Sequence, residues 1–204
     1  MGVMAKLRSR ARARGYTVVE VLSAMTLFAI GAAGVIGMQR VTIQGGVDAR
    51  NFDLGSNIAR EWQHRLQRDA LLWTQPNSAV SATNLATTRW LGPANIDNQW
   101  RVPAPGPAGA AEPGYAAAFD IFGHDVAPDS PNRMFCVQYR LGWIANSNNG
   151  TSPTAIIRAE VRVFWSRLEF GLPNCAETTV EATATRNQYH FVNLATAIRG
   201  NPNQ

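Results

Sequence analysis

The sequence is poor in the residues from which metal centres and disulfide scaffolds are built. It holds 2 cysteines and 3 histidines in 204 residues. Two cysteines exclude a disulfide-dense miniprotein and a four-cysteine zinc site. His64, His124 and His190 are too scattered for a histidine metal centre. No stretch matches a P-loop, a G-x-G-x-x-G fingerprint, G-x-S-x-G or H-E-x-x-H. Proline is missing from the first 75 residues, and all 11 lie in 76–204. That absence predicts one long helical spine followed by a turn-rich domain. Charge is also scarce, at 16% against 46% hydrophobic residues, which excludes a wholly disordered chain.

The net charge of +5 belongs to one short segment. Residues 1–15 carry Lys6, Arg8, Arg10, Arg12 and Arg14 and no acid, whereas residues 16–204 balance 14 basic groups with 14 acidic ones. A nucleic-acid partner is therefore not expected, because the folded part has no surplus positive charge to attract phosphate.

From Val18 to Met38 the chain has one ionisable group, Glu20. A helix of that length rises roughly 30 Å, enough to cross the hydrocarbon core. The basic residues before it place the N-terminus in the cytoplasm and the remainder outside. A plain single-pass anchor fits this pattern, as does a secretory signal cut near Gly31-Ala32-Ala33. Both leave Glu20 unexplained, although a carboxylate in an apolar run costs about 2.5–3.5 kcal/mol on insertion scales and is usually retained for a function.

The segment at roughly residues 6–40 resembles a type IV prepilin: a basic leader, Gly15, the aromatic Tyr16, three mostly small or apolar residues, Glu20 and a retained apolar helix. The resemblance implies peptidase cleavage between Gly15 and Tyr16, N-methylation of Tyr16, and pairing of Glu20 with the N-terminus of a neighbouring subunit. It makes Glu20 a register device, because a buried carboxylate is tolerated only when paired. Gly15 suits close backbone approach at the peptidase site. Gly31, Gly34 and Gly37 allow close helix packing and also weaken the helix locally. Many major pilins carry proline where this chain has Gly37. Glu20-Val21-Leu22 and Gly31-x-x-Gly34-x-x-Gly37-Met38-Gln39 look most like the PilV-type minor pilins.

Leu54, Ile58, Trp62, Leu66, Ala70 and Trp73 recur at helical spacing among polar neighbours. They predict an amphipathic helix whose stripe packs on a sheet, with Gly45-Gly46 loosening its junction to the apolar run. Residues 103–118, with four prolines and three glycines, read as a loop. Alternation predicts strands at 135–144 and 155–165, joined through a turn at 146–153 into an antiparallel hairpin, and a third strand at 189–194. The expected organisation is a leader at 1–15, a membrane or filament-core helix at 16–39, an amphipathic periplasmic helix at 40–75 and a globular head at 76–204. The expected fold is α+β, a type IV pilin fold with the long helix on an antiparallel sheet.

Cys136 and Cys175 allow one intrachain pair. In the cytoplasm two buried thiols would be expected; the outward orientation makes a disulfide the expectation. The family often carries such a bridge near its C-terminus. Asp120, His124, Asp125 and Asp129 form a cluster that hard cations favour, but the spacing matches no known loop and acidic residues are ordinary in turns, so no metal and no cofactor are expected. Asn149-Gly150-Thr151 fits a glycosylation acceptor but is common by chance.

The resemblance implies a non-enzymatic minor pilin that primes or modifies pilus assembly. Its partners would be the major pilin, other minor pilins, prepilin peptidase and the inner-membrane assembly platform, with a tip adhesin as a further candidate. It would sit in the inner membrane with a periplasmic head and then at the cell surface. Two alternatives are a minor pseudopilin of a type II secretion system and a membrane-anchored periplasmic binding module.

Overall fold

The structure, a computed structural model, describes residues 15–73, 85, 88–91, 96–104, 116–145, 156–167 and 170–199. Residues 1–14 of the leader, most of the loop 103–118, the turn 146–153 and the Asn149 acceptor lie outside the described residues. The chain divides into two units, 1–48 and 49–204. Helix α1, Val18–Trp73, contributes to both.

In the first unit α1 runs unbroken through Gly31, Gly34, Gly37, Gly45 and Gly46. The expected loosening at Gly45-Gly46 is not seen. Glycine lowers helix propensity by about 1 kcal/mol but keeps its N–H, so the hydrogen-bond ladder survives where proline would break it.

In the second unit the fold is α+β. A 3₁₀ turn spans Arg89–Leu91, followed by β1 (Ala118–Phe119), β2 (Asp125–Val126), β3 (Phe135–Ala145), β4 (Ile156–Ser166) and β5 (Tyr189–Arg199). The strands form one antiparallel sheet in the order β2-β1-β3-β4-β5. The two central predicted strands are present, β3 ending one residue later at Ala145. Two expectations change. Ala118, assigned to the loop, pairs with Cys136 and opens β1. The third strand continues past Leu194 to Arg199, paired with β4 along its whole length.

Alternation builds the core. Phe135, Val137, Tyr139 and Leu141 of β3 and Ile157, Ala159, Val161, Val163 and Trp165 of β4 share the inner face. Against them lie Ile58, Ala59, Trp62, Leu66, Ala70 and Trp73, the stripe of α1. At Gly55 helix and sheet approach closely. A Cβ there would lie 2.7 Å from a Trp165 ring carbon, and that ring cannot withdraw because Phe135 meets it edge-on and His190 stacks on it. Further along, Gln63 Nε2 donates to the Ala195 carbonyl at 3.4 Å and Gln67 Nε2 to Thr196 Oγ1 at 3.2 Å. From Gly55 to Gln67 the helix therefore advances in the same direction as β5 from His190 to Thr196. The rises agree, at roughly 18 Å of helix against 20 Å of strand.

Tyr139 is fully buried in this core, and its hydroxyl donates to the Leu91 carbonyl. Burial pushes the hydroxyl from 10 up to about 12, Arg101 opposing and Asp97 assisting. Above pH 10 the unfolded chain releases this proton while the folded one retains it. Stability is thus fully present below pH 10 and falls as pH rises towards 12, by about 2–3 kcal/mol in all. Urea unfolding across this window should show the fall, and Tyr139→Phe should flatten it.

Candidate functional site

The start of α1 is built by Thr17. Its carbonyl accepts from the backbone N–H of Glu20 at 3.0 Å and of Val21 at 3.2 Å, and its Oγ1 also accepts from the Glu20 N–H at 3.3 Å. Thr17-Val-Val-Glu20 is the S/T-x-x-E capping pattern, with Glu20 as the third helical residue. A carboxylate in the first turn is also favoured by the helix dipole, by about 0.3–1 kcal/mol. Thr17 is a residue that the reading of the sequence missed, although the T-x-x-E spacing carried the signal.

Tyr16, Glu20, Val21, Ala24, Met25 and Phe28 lie along one face beyond this cap. Gly15 and Tyr16 precede the helix, and Tyr16 is 82% exposed. The hydroxyls of the segment are bonded within the helix: Ser23 Oγ donates to the Glu20 carbonyl at 2.9 Å, Thr26 Oγ1 to that of Leu22 at 2.7 Å and Thr42 Oγ1 to that of Met38 at 3.0 Å. Such bonds let hydroxyls enter an apolar phase without an unmet partner. A carboxylate such as that of Glu20 is far costlier to place there than these hydroxyls. Around it Val18, Val19, Leu22, Met25 and Phe28 are all exposed. The segment is long and apolar enough to cross a membrane. An exposed apolar helix of this length needs lipid or other helices to cover it.

In the second unit, Cys136 of β3 and Cys175 form a disulfide with Cα atoms 5.1 Å apart. It closes a second apolar cluster with Ala118, Phe164 and Val180 on the outer face of the sheet. The bridge ties down a strap that includes residues 173–181. Gln138 Nε2 donates to the carbonyls of Cys175 and Glu177, both at 2.8 Å. Arg133 Nε donates to the Pro173 carbonyl at 2.7 Å. Arg162, fully buried, donates to Gln138 Oε1 and to the Thr178 carbonyl and pairs with Glu181 at 3.5 Å. Trp100 lies over Arg162 at 4.1 Å and over Arg140 at 4.5 Å. Burial draws the Arg162 guanidinium below its ordinary value, and Glu181 opposes that shift. This clasp was illegible beforehand, because Gln138 and Arg162 alternate with the core residues like any solvated face.

The acidic cluster resolves into a turn. Asp120 Oδ1 accepts from the N–H of Phe122 at 2.8 Å and of His124 at 2.9 Å. His124 Nδ1 lies 3.4 Å from Asp120 Oδ2. With its carboxylate engaged by backbone donors, Asp120 acts as a turn former. Among the described residues no group of three or more His, Cys, Asp or Glu could hold a metal.

Residues 10–36 match the family profile of the prokaryotic N-terminal methylation motif. This is the type IV prepilin-like N-terminus, and it contains Gly15, Tyr16, Thr17 and Glu20. A motif of this type implies processing as a prepilin. Comparisons with curated proteins and with solved structures give no match.

Proposed function

We propose that this chain is a minor pilin of a type IV pilus, processed between Gly15 and Tyr16, N-methylated on Tyr16, and assembled through Glu20. The observation that carries the reading is a single carboxylate, in the capped first turn of an uncovered apolar helix, inside a matched methylation motif. The minor role rests on glycine at position 37 and on the PilV-like spacing of Gly31, Gly34 and Gly37. The chain would wait in the inner membrane with its head in the periplasm. It would then join other minor pilins and the major pilin on the assembly platform, priming or modifying the filament.

Mass spectrometry of the mature chain tests the proposal. The expected N-terminus is a methylated Tyr16. Gly15→Leu should leave full-length precursor in the membrane fraction, because a side chain would hold the backbone away from the peptidase. A mature chain that begins near Ala32 or Ala33 would overturn the reading in favour of a secretory signal.

A further inference from the structure

We propose that the end of the head where α1 enters it is a membrane-docking rim, which holds the subunit on the bilayer surface before assembly. The inference rests on the membrane anchoring of the apolar helix and adds a lipid contact made by the head itself.

The topology brings one set of apolar residues together. β1 ends at Phe119, opposite Phe135 at the start of β3. β4 ends at Ser166, opposite Tyr189 at the start of β5. Phe52 of α1 meets Trp165 at 6.1 Å between centroids. The turn after β1, the start of the β4–β5 connection and the entering end of the helix are therefore at one end of the sheet. That end exposes Phe52, Ile121, Phe122, Phe170 and Leu172. Among the described residues of this unit, only two other large apolar side chains are exposed, Leu71 and Ile144, and both lie towards the opposite end.

The rim is held in place. The Asp120 carboxylate pins the turn bearing Ile121 and Phe122, the latter 67% exposed. The Phe170 N–H donates to the Arg167 carbonyl at 2.9 Å, and Gly171 supplies a φ of 73° that other residues adopt with strain. Arg133 anchors the connection just beyond Leu172 through the Pro173 carbonyl. Apolar side chains presented on fixed turns enter a surface without losing much conformational entropy.

Tethering selects the occupant. The ten residues 39–48 separate the apolar run from the head, and even fully extended they reach about 35 Å. A spanning helix therefore keeps this end close to the bilayer at high effective concentration, so weak contacts suffice. Charges of both signs flank the rim, Arg133 and Arg167 with Asp120 and Asp129. Attachment is thus by apolar insertion at the headgroup boundary and does not depend on anionic lipid.

The test uses the full chain reconstituted in vesicles of phosphatidylethanolamine and phosphatidylglycerol, and separately of phosphatidylcholine. Phe122→Cys, Phe170→Cys and Ile144→Cys are each labelled with an environment-sensitive fluorophore without reductant, so that Cys136–Cys175 stays closed. Nitroxide lipids should quench the labels at 122 and 170 about threefold more than the label at 144, in both lipids and at high salt. Leu172→Glu should lower quenching at 122 to the level at 144. Equal quenching at all three sites, with the chain resistant to alkaline extraction, overturns docking and leaves anchoring intact. Shielding at 122 only after other pilins are added assigns the rim to a subunit contact and also overturns it. A chain that alkaline extraction removes overturns the anchoring, and with it the tether that docking needs.

Discussion

Replacing Cys136 and Cys175 together by alanine is expected to lower the melting temperature of the head by roughly 10 °C. The two residues are 39 apart in sequence. Closing a loop of that length stabilises by about 4 kcal/mol in the chain-entropy model. In a unit of this size each kcal/mol moves the midpoint by about 2–4 °C. Losing the bridge also loosens what it holds. Phe164 and Val180 lose part of their cover, and the strap that supplies the carbonyls of Cys175, Glu177 and Thr178 is free to leave Gln138 and Arg162. A buried guanidinium stripped of its acceptors is costly. Circular dichroism melts of the wild type and the double variant, in detergent, check the expectation. A midpoint within about 2 °C of wild type would mean that the polar clasp alone retains the strap.

What was legible in the sequence follows the reach of each signal. Glu20 stood out because one charge in a 21-residue apolar run is a local pattern. The stripe from Leu54 to Trp73 and the alternation in β3 and β4 were legible because one face of each is buried in the same core. The end of β5 was not. Asn193, Ala195 and Ala197 face outward on the last strand of the sheet, and small exposed residues carry little strand signal. β1 and β2, at two residues each, are too short to show a period. The burial of Gln138 and Arg162 depends on Trp100 and on a strap far along the chain, and no local window contains that information. The capping pattern at Thr17 is local too, but Glu20 reads first as a lone charge, which hides its place in the first turn.

The second large effect is expected at Glu20, and its two roles can be separated. Glu20→Ala removes both the charge and the acidic side chain of the T-x-x-E pattern. Glu20→Gln removes only the charge, since glutamine also serves at the third helical position of a capping box. If Glu20 pairs with a neighbouring N-terminus inside a filament, both variants leave that amino group buried and unpaired. The expected penalty is about 3–5 kcal/mol, a hundredfold or greater loss of incorporation. Insertion into the membrane should become easier in both, because the carboxylate opposes entry into hydrocarbon by about 2.5–3.5 kcal/mol. Each variant is expressed in place of the wild type, and membrane fractions and sheared filaments are probed separately. The expected pattern is a normal or raised membrane level, retained cleavage after Gly15 and near absence from filaments for alanine and glutamine alike. Rescue by glutamine would make the residue a helix-start device and remove the register role. Wild-type incorporation of both would mean that no buried amino group depends on this carboxylate, and that the subunit does not occupy an ordinary position in the filament core.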